Sequence, residues 1–467
     1  MGTECSSEQL VFEGFEGRQV VGSFDGGAVT SNGGAALLRE ADRAIGLTAK
    51  VARCFRDERD ADLIVHRLDT MLAQRVHAIA LGYEDLNDHD ELRFDPVLGL
   101  LSDTLESKRD DVATLAGKST LNRMENGLTG GSTRYHKISV NDAELERVFL
   151  DIFVAAHERA PERIILDLDA TDDPLHGEQE GRFYHGYYRC YCYLPLYIFA
   201  GRHLLVAKLR RANIDASAGA REEVARVVAE LRKAWPDVEI WLRADSGFAR
   251  DELMSWCEEN RVDYVLGLAR NTRLEPMLAD ALNEAKATFE ATKQAARVFK
   301  ELTYRTVDSW SRERRVVGKA EHLEKGANPR FIVTSLSAER IDGKELYERI
   351  YCARGEMENR IKECQLDLDA DRTSASTMRA NQLRLWLSSL AYVLMEAVRR
   401  LALAGTALAN ATAGTIRLKL LKIGAVVTVS VRRIKIAFAS ACPAKTTFTH
   451  AHAHLRRLRA PPPAIAA

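Results

Sequence analysis

Arg163-Ile164-Ile165-Leu166-Asp167-Leu168-Asp169-Ala170-Thr171-Asp172-Asp173 is the stretch on which the fold turns. Residues 164–168 form a short apolar run of the strand type. Alternation puts Leu166 and Leu168 on one face and Asp167 and Asp169 on the other, so Asp169 stands at the strand exit. Acids crowded in this way repel one another unless cations or hydrogen bonds compensate. Two further strand-like runs follow, 193–199 and 203–209, with Pro195 assigning the first to an edge or a bulge. A helix carrying Val224, Val227, Val228 and Leu231 on one face stops at Trp235-Pro236. A strand over 238–244 then ends at Asp245-Ser246-Gly247, residues 251–260 read as helix and 262–268 as strand. This order predicts an α/β fold, a mixed sheet with helical cover, whose chemistry lies beyond the carboxyl ends of strands.

On either side the pattern changes. Residues 20–150 read as mainly helical, Leu68, Leu72, Val76 and Ile79 recurring at helical spacing, with loops at Gly26-Gly27, Gly33-Gly34 and Gly130-Gly131, the last a domain boundary. Residues 297–336 hold three β-like runs (298–306, 314–320 and 331–336) and read as an inserted β-subdomain. Helices are expected over 343–366 and 381–403. The expected domains are a mainly helical N-terminal domain (1–150), an α/β core (151–296 and 337–396), the β-insertion (297–336) and a C-terminal segment (397–467).

A chain of 467 residues, 46% hydrophobic and 28% charged, has ample material for a packed core. No run of about 18 apolar residues suggests a membrane span, and the acidic N-terminus carries no signal-peptide run, so a cytoplasmic enzyme is expected. The eight cysteines are scattered and read as reduced thiols. The net charge of −1 conceals an asymmetry: from residue 397 onward there are twelve Lys and Arg and no acid. Such a segment suits neutralisation of nucleic-acid phosphates, or docking on the acidic remainder of the chain.

Phosphoryl transfer between nucleic-acid strands needs hard cations about 4 Å apart, hence oxygen ligands converging on one point. Asp169 and Asp245 both stand at strand ends. A third carboxylate, Glu358, lies in Tyr351-Cys352-Ala353-Arg354-Gly355-Glu356-Met357-Glu358-Asn359-Arg360-Ile361-Lys362. Helical spacing would place Tyr351, Arg354, Glu358 and Lys362 along one stripe, a carboxylate flanked by cations where phosphate approaches.

Taken together the chain resembles the DDE transposases of bacterial insertion sequences, specifically the thirteen-eighty family of the insertion-sequence-four-like group. The resemblance is carried by Ser23-Phe24-Asp25-Gly26-Gly27, Gly82-Tyr83-Glu84-Asp85-Leu86-Asn87-Asp88, Ser119-Thr120-Leu121-Asn122-Arg123-Met124-Glu125-Asn126 and residues 168–177, 243–248, 264–271 and 379–392. It implies a ribonuclease-H-like catalytic core, an Asp-x-Thr motif matched by Asp169 and Thr171, and a β-insertion between the second and third acids. It further implies Asp169, Asp245 and Glu358 as catalytic metal ligands for two divalent ions, Mg2+ or Mn2+. The substrates would be double-stranded terminal inverted repeats and target DNA, bound by a homodimer in the nucleoid-containing cytoplasm. The wider group's signature runs Tyr, two residues, Arg, three residues, Glu, six residues, Lys. Tyr351, Arg354 and Glu358 match it, but position 365 is Gln, and Lys362 one turn earlier is the candidate substitute for the DNA-binding lysine. Tyr351 and Arg354 would position terminal phosphates.

Other motifs are weaker. Ala116-Gly117-Lys118-Ser119-Thr120 has the tail of a phosphate-binding loop without its earlier glycine. Asp85-Leu86-Asn87-Asp88-His89-Asp90 lacks the glycine of a calcium loop and reads as a capped acidic turn. His450, His452 and His454 are assigned to a flexible tail, only the outer two able to share a helical face. The nearest alternative function is a transposase-derived nuclease or DNA-binding regulator without strand transfer. A glycoside hydrolase would explain paired carboxylates but not the basic tail, and a purely architectural DNA-binding protein leaves the acids without a role.

Overall fold

The structure, a computed structural model, describes residues 9–105, 115–127 and 137–458. The Gly130-Gly131 boundary, Cys5 and the last nine residues of the basic segment, 459–467, lie outside them. The chain divides into two compact units, one comprising 1–140, 367–369 and 390–467, the other 141–366 and 370–389.

In the first unit the helix Leu68–Ala80 is buried from Thr70 onward, which takes even Gln74, Arg75 and His77 out of water. Buried polar groups need partners. Arg75 finds one in Glu125, its Nε donating at 2.7 Å, and Gln74 donates to the Ala116 carbonyl at 2.8 Å. The stretch with the truncated phosphate-loop motif is thereby a packing element. Asp85 caps the turn Leu86–Asp88 by accepting from the Asn87 N–H, so this acidic run is the capped turn its residues suggest. The histidine-bearing tail differs from expectation: Lys445–Arg457 is a helix that buries Ala451 and Leu455, with the rings of His450 and His454 tilted against each other at 4.1 Å. Strands also occur here. Ala425–Ser430 pairs with Arg433–Phe438 and with Val29–Thr30, and Leu10–Phe15 forms a hairpin with Arg18–Gly22.

The second unit is built on a nine-stranded mixed sheet. Its principal strands are β1 (Arg163–Ala170), β2 (Leu196–Ala200), β3 (His203–Lys208), β4 (Glu239–Ala244), β5 (Asp263–Leu268), β6 (Ala296–Tyr304), β7 (Arg314–Leu323) and β8 (Arg330–Thr334). Their order is β3-β2-β1-β4-β5-β8-β7-β6. β1, β4 and β5 run parallel, and the other neighbours are antiparallel. The runs in 297–336 therefore extend this sheet through β5 and β8 instead of forming a sheet of their own. Pro195 also acts differently from expectation. It separates Cys190–Tyr193, a strand of a small outlying sheet, from β2, which is flanked on both sides in the large one.

Alternation explains the layers. Leu166, Leu168, Leu242 and Leu266 point to one face, where helices α1 (Ala220–Ala234) and α2 (Asp251–Glu259) bury Val224, Val227, Leu231, Leu253 and Met254. Each such side chain contributes about 1.5–3 kcal/mol on burial. Trp241, Val265 and Ile332 point to the other face, covered by Leu346 and Tyr347. After Asp342 the chain makes a wide π-helical turn, Leu346–Tyr351, then a tight turn, Cys352–Arg354, before α3 (Gly355–Leu368) begins. A second long helix, α4, spans Met378–Ala402, of which only the residues up to Ser389 belong to this unit.

Candidate active site

Parallel pairing aligns the ends of β1 and β4: Asp167 lies opposite Arg243 and Leu168 opposite Ala244. Asp169 and Asp245, the next residues along, accordingly emerge at the same edge of the sheet. Asp245 accepts from the Gly247 N–H at 2.8 Å and caps the turn Ser246–Phe248, which fixes its carboxylate at the strand end. Asp169 accepts from its neighbour's amide, Ala170 N–H, at 2.9 Å.

The crowded acids are compensated individually. Asp167, only 3% exposed, is bound by the Arg243 guanidinium through Nε and Nη2, while Arg243 Nη1 donates to the Ile350 carbonyl at 2.6 Å. Burial holds the Asp167 carboxyl above its usual range, and Arg243 opposes the shift. Asp173 is equally buried and accepts from the Thr373 hydroxyl at 2.8 Å. Burial raises its pKa well above the ordinary value. Neither carboxylate lines the cavity that receives Asp169.

Asp169 differs. With Asp245, Arg354, Glu358, Lys362 and Gln365 it lines an open cavity of about 600 Å³. The Arg354 guanidinium lies between two of the acids, Nη1 at 3.4 Å from Asp169 Oδ2 and Nη2 at 3.2 Å from Glu358 Oε1. Burial pushes the Asp169 carboxyl up to about 6; Arg354 opposes this, and the negative charges of Asp245 and Glu358 add to it. Tyr351 is not among the residues that line the cavity; its side chain hydrogen-bonds Arg354, and burial and Asp245 raise its pKa while Arg354 opposes the shift. Its hydroxyl lies against Gly267, where an added Cβ would come within 2.5 Å of it and 2.8 Å of the Ser246 nitrogen. Tyr351, Arg354 and Glu358 are not one stripe of a regular α-helix, because the π-helical and tight turns precede α3. Such irregular turns shift side-chain directions and often mark functional sites. Arg354 and Glu358 nevertheless remain in contact.

Gln365, standing where the signature has lysine, donates from Nε2 to the Asp172 carbonyl at 3.0 Å and so ties α3 to the loop after β1. Lys362 is exposed at the cavity. The chain also brings to this cavity His185, Tyr187 and Tyr188, which the sequence reading passed over. Their signal was the aromatic run from Phe183 to Tyr193 in a chain only 7% aromatic.

Oxygen-only donors suit a hard divalent cation. Carboxylates from two strand ends and a helix share one cavity, with enough mutual repulsion for a cation to relieve. As they stand, no three His, Cys, Asp or Glu side chains among the described residues are grouped tightly enough to hold an ion, and Arg354 supplies positive charge between Asp169 and Glu358.

The transposase DDE domain group 1 family matches residues 12–460. The chain belongs to that family. It is therefore a DNA transposase, an enzyme that cuts and transfers DNA, of a class that generally uses divalent metal ions. No protein of curated function matches the transposase sequence. Among solved structures, a cryo-EM structure of a piggyBac transposase synaptic complex with hairpin DNA aligns at 11% identity and a TM-score of 0.36, covering 92% of this chain and 82% of that one. No described helix of the transposase is long and apolar enough to cross a membrane.

Proposed function

We propose that this transposase cleaves DNA at the inverted terminal repeats of an insertion sequence and joins the freed ends to target DNA, with Asp169, Asp245 and Glu358 as the catalytic carboxylates. The observation that carries the reading is the arrival of all three at one cavity that also holds Arg354 and Lys362. The strand order β3-β2-β1-β4-β5, with β1, β4 and β5 parallel, supports a ribonuclease-H-like core, and the signature residues support membership of the thirteen-eighty family.

In this reading the three carboxylates hold two Mg2+ ions, or Mn2+ in their place. Bound there, the ions supply Lewis-acid activation of the attacking oxygen and charge relief at the leaving one. The chain's own groups orient the substrate. Arg354, released from its carboxylate contacts, binds a terminal phosphate through its forked donors. Tyr351, hydrogen-bonded to Arg354, positions that phosphate together with it, and exposed Lys362 neutralises the neighbouring phosphate. Gln365 keeps α3 and the loop after Asp169 in register. Residues 1–150 serve DNA binding, the basic segment 397–467 serves DNA contact or dimerisation, and residues 151–296 and 337–396 serve catalysis, with the strands of 297–336 extending the sheet of the catalytic core. The enzyme works as a homodimer on paired DNA ends in the cytoplasm, at the nucleoid.

The test is cleavage and strand transfer on DNA carrying the two element ends. Asp169→Asn, Asp245→Asn and Glu358→Gln should each bind that DNA yet lose roughly a thousandfold or more in cleavage rate. Cleavage at the original rate by any one of them removes that residue from the site. Cleavage without joining by the wild-type protein would identify a transposase-derived nuclease.

A further inference from the structure

Between β1 and β2 the chain leaves the large sheet for a hairpin, Phe183–His185 against Cys190–Tyr193, with Tyr184 opposite Tyr191. Five of the protein's 13 tyrosines fall within it or beside it, at 184, 187, 188, 191 and 193. Folding ordinarily removes such rings from water, but Tyr187 is 83% exposed, Tyr184 58% and Tyr191 48%. The tip is braced. Arg189 adopts φ 57° and its N–H donates to the His185 carbonyl at 2.8 Å. Tyr188 stands edge-on to Tyr187 with ring centres 5.0 Å apart, and its hydroxyl reaches the Ala170 carbonyl, next to Asp169, at 3.5 Å. His185 lies 4.9 Å from the Tyr188 ring, and its Nδ1 is shielded from solvent without a hydrogen-bond partner.

The position of this tip gives it meaning. His185, Tyr187 and Tyr188 line the cavity of the three carboxylates. Cations accompany the rings: Arg182 lies over Tyr191 at 4.9 Å, Arg189 is exposed at the tip, and Lys362 is exposed at the cavity. Aromatic faces interleaved with cations are the chemistry of single-stranded nucleic-acid binding, because every base offers a π-face and every nucleotide a phosphate.

We propose that the tip of this hairpin is a binding site for one unpaired nucleobase of the DNA strand held at the carboxylates. The base stacks on Tyr187, and Arg189 and Lys362 neutralise the flanking phosphates. Because Tyr187 is stiffened from behind by Tyr188, little further ordering is needed when a base arrives. Stacking there would hold a nucleotide out of the helix and turn the adjoining phosphate toward the acids, a geometry a closed duplex does not offer. The inference rests on the proposed strand-cutting role of the cavity, and it adds the ligand that the cavity's aromatic wall receives.

Binding of the full-length protein in EDTA separates the two. The probes are a single-stranded oligonucleotide carrying one 2-aminopurine, whose fluorescence is quenched by stacking, and the same strand fully paired to its complement. Tyr187→Ala should weaken single-strand binding about tenfold and abolish the quench, while affinity for the paired duplex stays unchanged. Tyr187→Trp should retain both binding and quench. The proposal is overturned if Tyr187→Ala matches the wild type on the single strand, or if it weakens both probes equally. It is also overturned if Tyr187→Trp fails as Tyr187→Ala does at an unchanged melting temperature. Cleavage by Asp169→Asn is measured in parallel. An inactive Asp169→Asn beside an unaffected Tyr187→Ala removes the base site alone, whereas a fully active Asp169→Asn beside an impaired Tyr187→Ala removes the carboxylate assignment alone.

Discussion

Replacing Arg243 with leucine should destabilise the sheet-bearing unit more than any comparable change to the cavity itself. Arg243 and Asp167 face each other across β4 and β1 with side chains only 9% and 4% exposed. The substitution removes both guanidinium bonds to Asp167 and the 2.6 Å bond to the Ile350 carbonyl. Breaking a buried pair from one side costs about 3–5 kcal/mol, because the partner charge stays buried. For a domain of this size each kcal/mol lowers the melting temperature by about 2–4 °C, so a fall on the order of 10 °C is expected. The loss should depend on pH. Burial already holds the Asp167 carboxyl above its usual value, and without Arg243 it rises further. A carboxyl with a raised folded pKa binds its proton more readily in the native state, so the variant regains stability as pH falls through that value and is weakest above it. Thermal unfolding at pH 5 and pH 8, followed by the combined fluorescence of the five tryptophans, Trp241 on the same strand among them, measures both effects. Replacing Asp167 and Arg243 together with leucine should recover most of the loss, since an apolar pair leaves no buried charge. A single variant melting within about 2 °C of the wild type, or a double variant no better than the single, would refute the account.

Other consequences are smaller but specific. Arg354→Gln removes the cation between Asp169 and Glu358; Mn2+ affinity without DNA, measured by calorimetry, should rise about five- to tenfold, and unchanged affinity would refute the bridging role. Because the Asp169 carboxyl is pushed up to about 6, divalent-ion affinity should decline as pH falls below that value. Over the same range the metal-free protein should lose a little stability as pH rises through it. Asp169→Asn should flatten both profiles, and a carbon-13 titration of Asp169 with a midpoint near the ordinary ~3.9 would contradict them. Lys362→Ala should weaken DNA binding with little regard to sequence and lower the salt slope by about 1; an unaltered slope would exclude a phosphate contact.

How much of this could be read in advance differs residue by residue. The positions of Asp169 and Asp245 were legible because alternation and a terminating turn are local signals. Their alignment at one sheet edge depends on the parallel register of β1 and β4, which no local pattern encodes. The same limit explains why 297–336 read as a separate subdomain: the antiparallel pairing of β5 with β8 that joins it to the sheet is a long-range choice. Helical spacing placed Tyr351, Arg354 and Glu358 near one another but could not foresee that a π-helical turn and a tight turn, not a regular α-helix, deliver them. The tail around His450 was read as flexible because its sparse apolar residues, Ala451 and Leu455, gain their value only when another surface covers them. The aromatic hairpin went unread for the opposite reason, since rings in a strand pattern ordinarily signify core.

One residue without a side chain governs how near the parts of the cavity can come. At Gly267 the backbone of β5 passes the Tyr351 hydroxyl and the Ser246 amide with no room for a methyl group. Alanine, the mildest of substitutions elsewhere on a strand, would act here as a wedge, parting the second acid from the turn that delivers the third. Any effort to retune this enzyme by random variation should thus meet a hard boundary at a place that carries no charge and has no side chain to offer the chemistry.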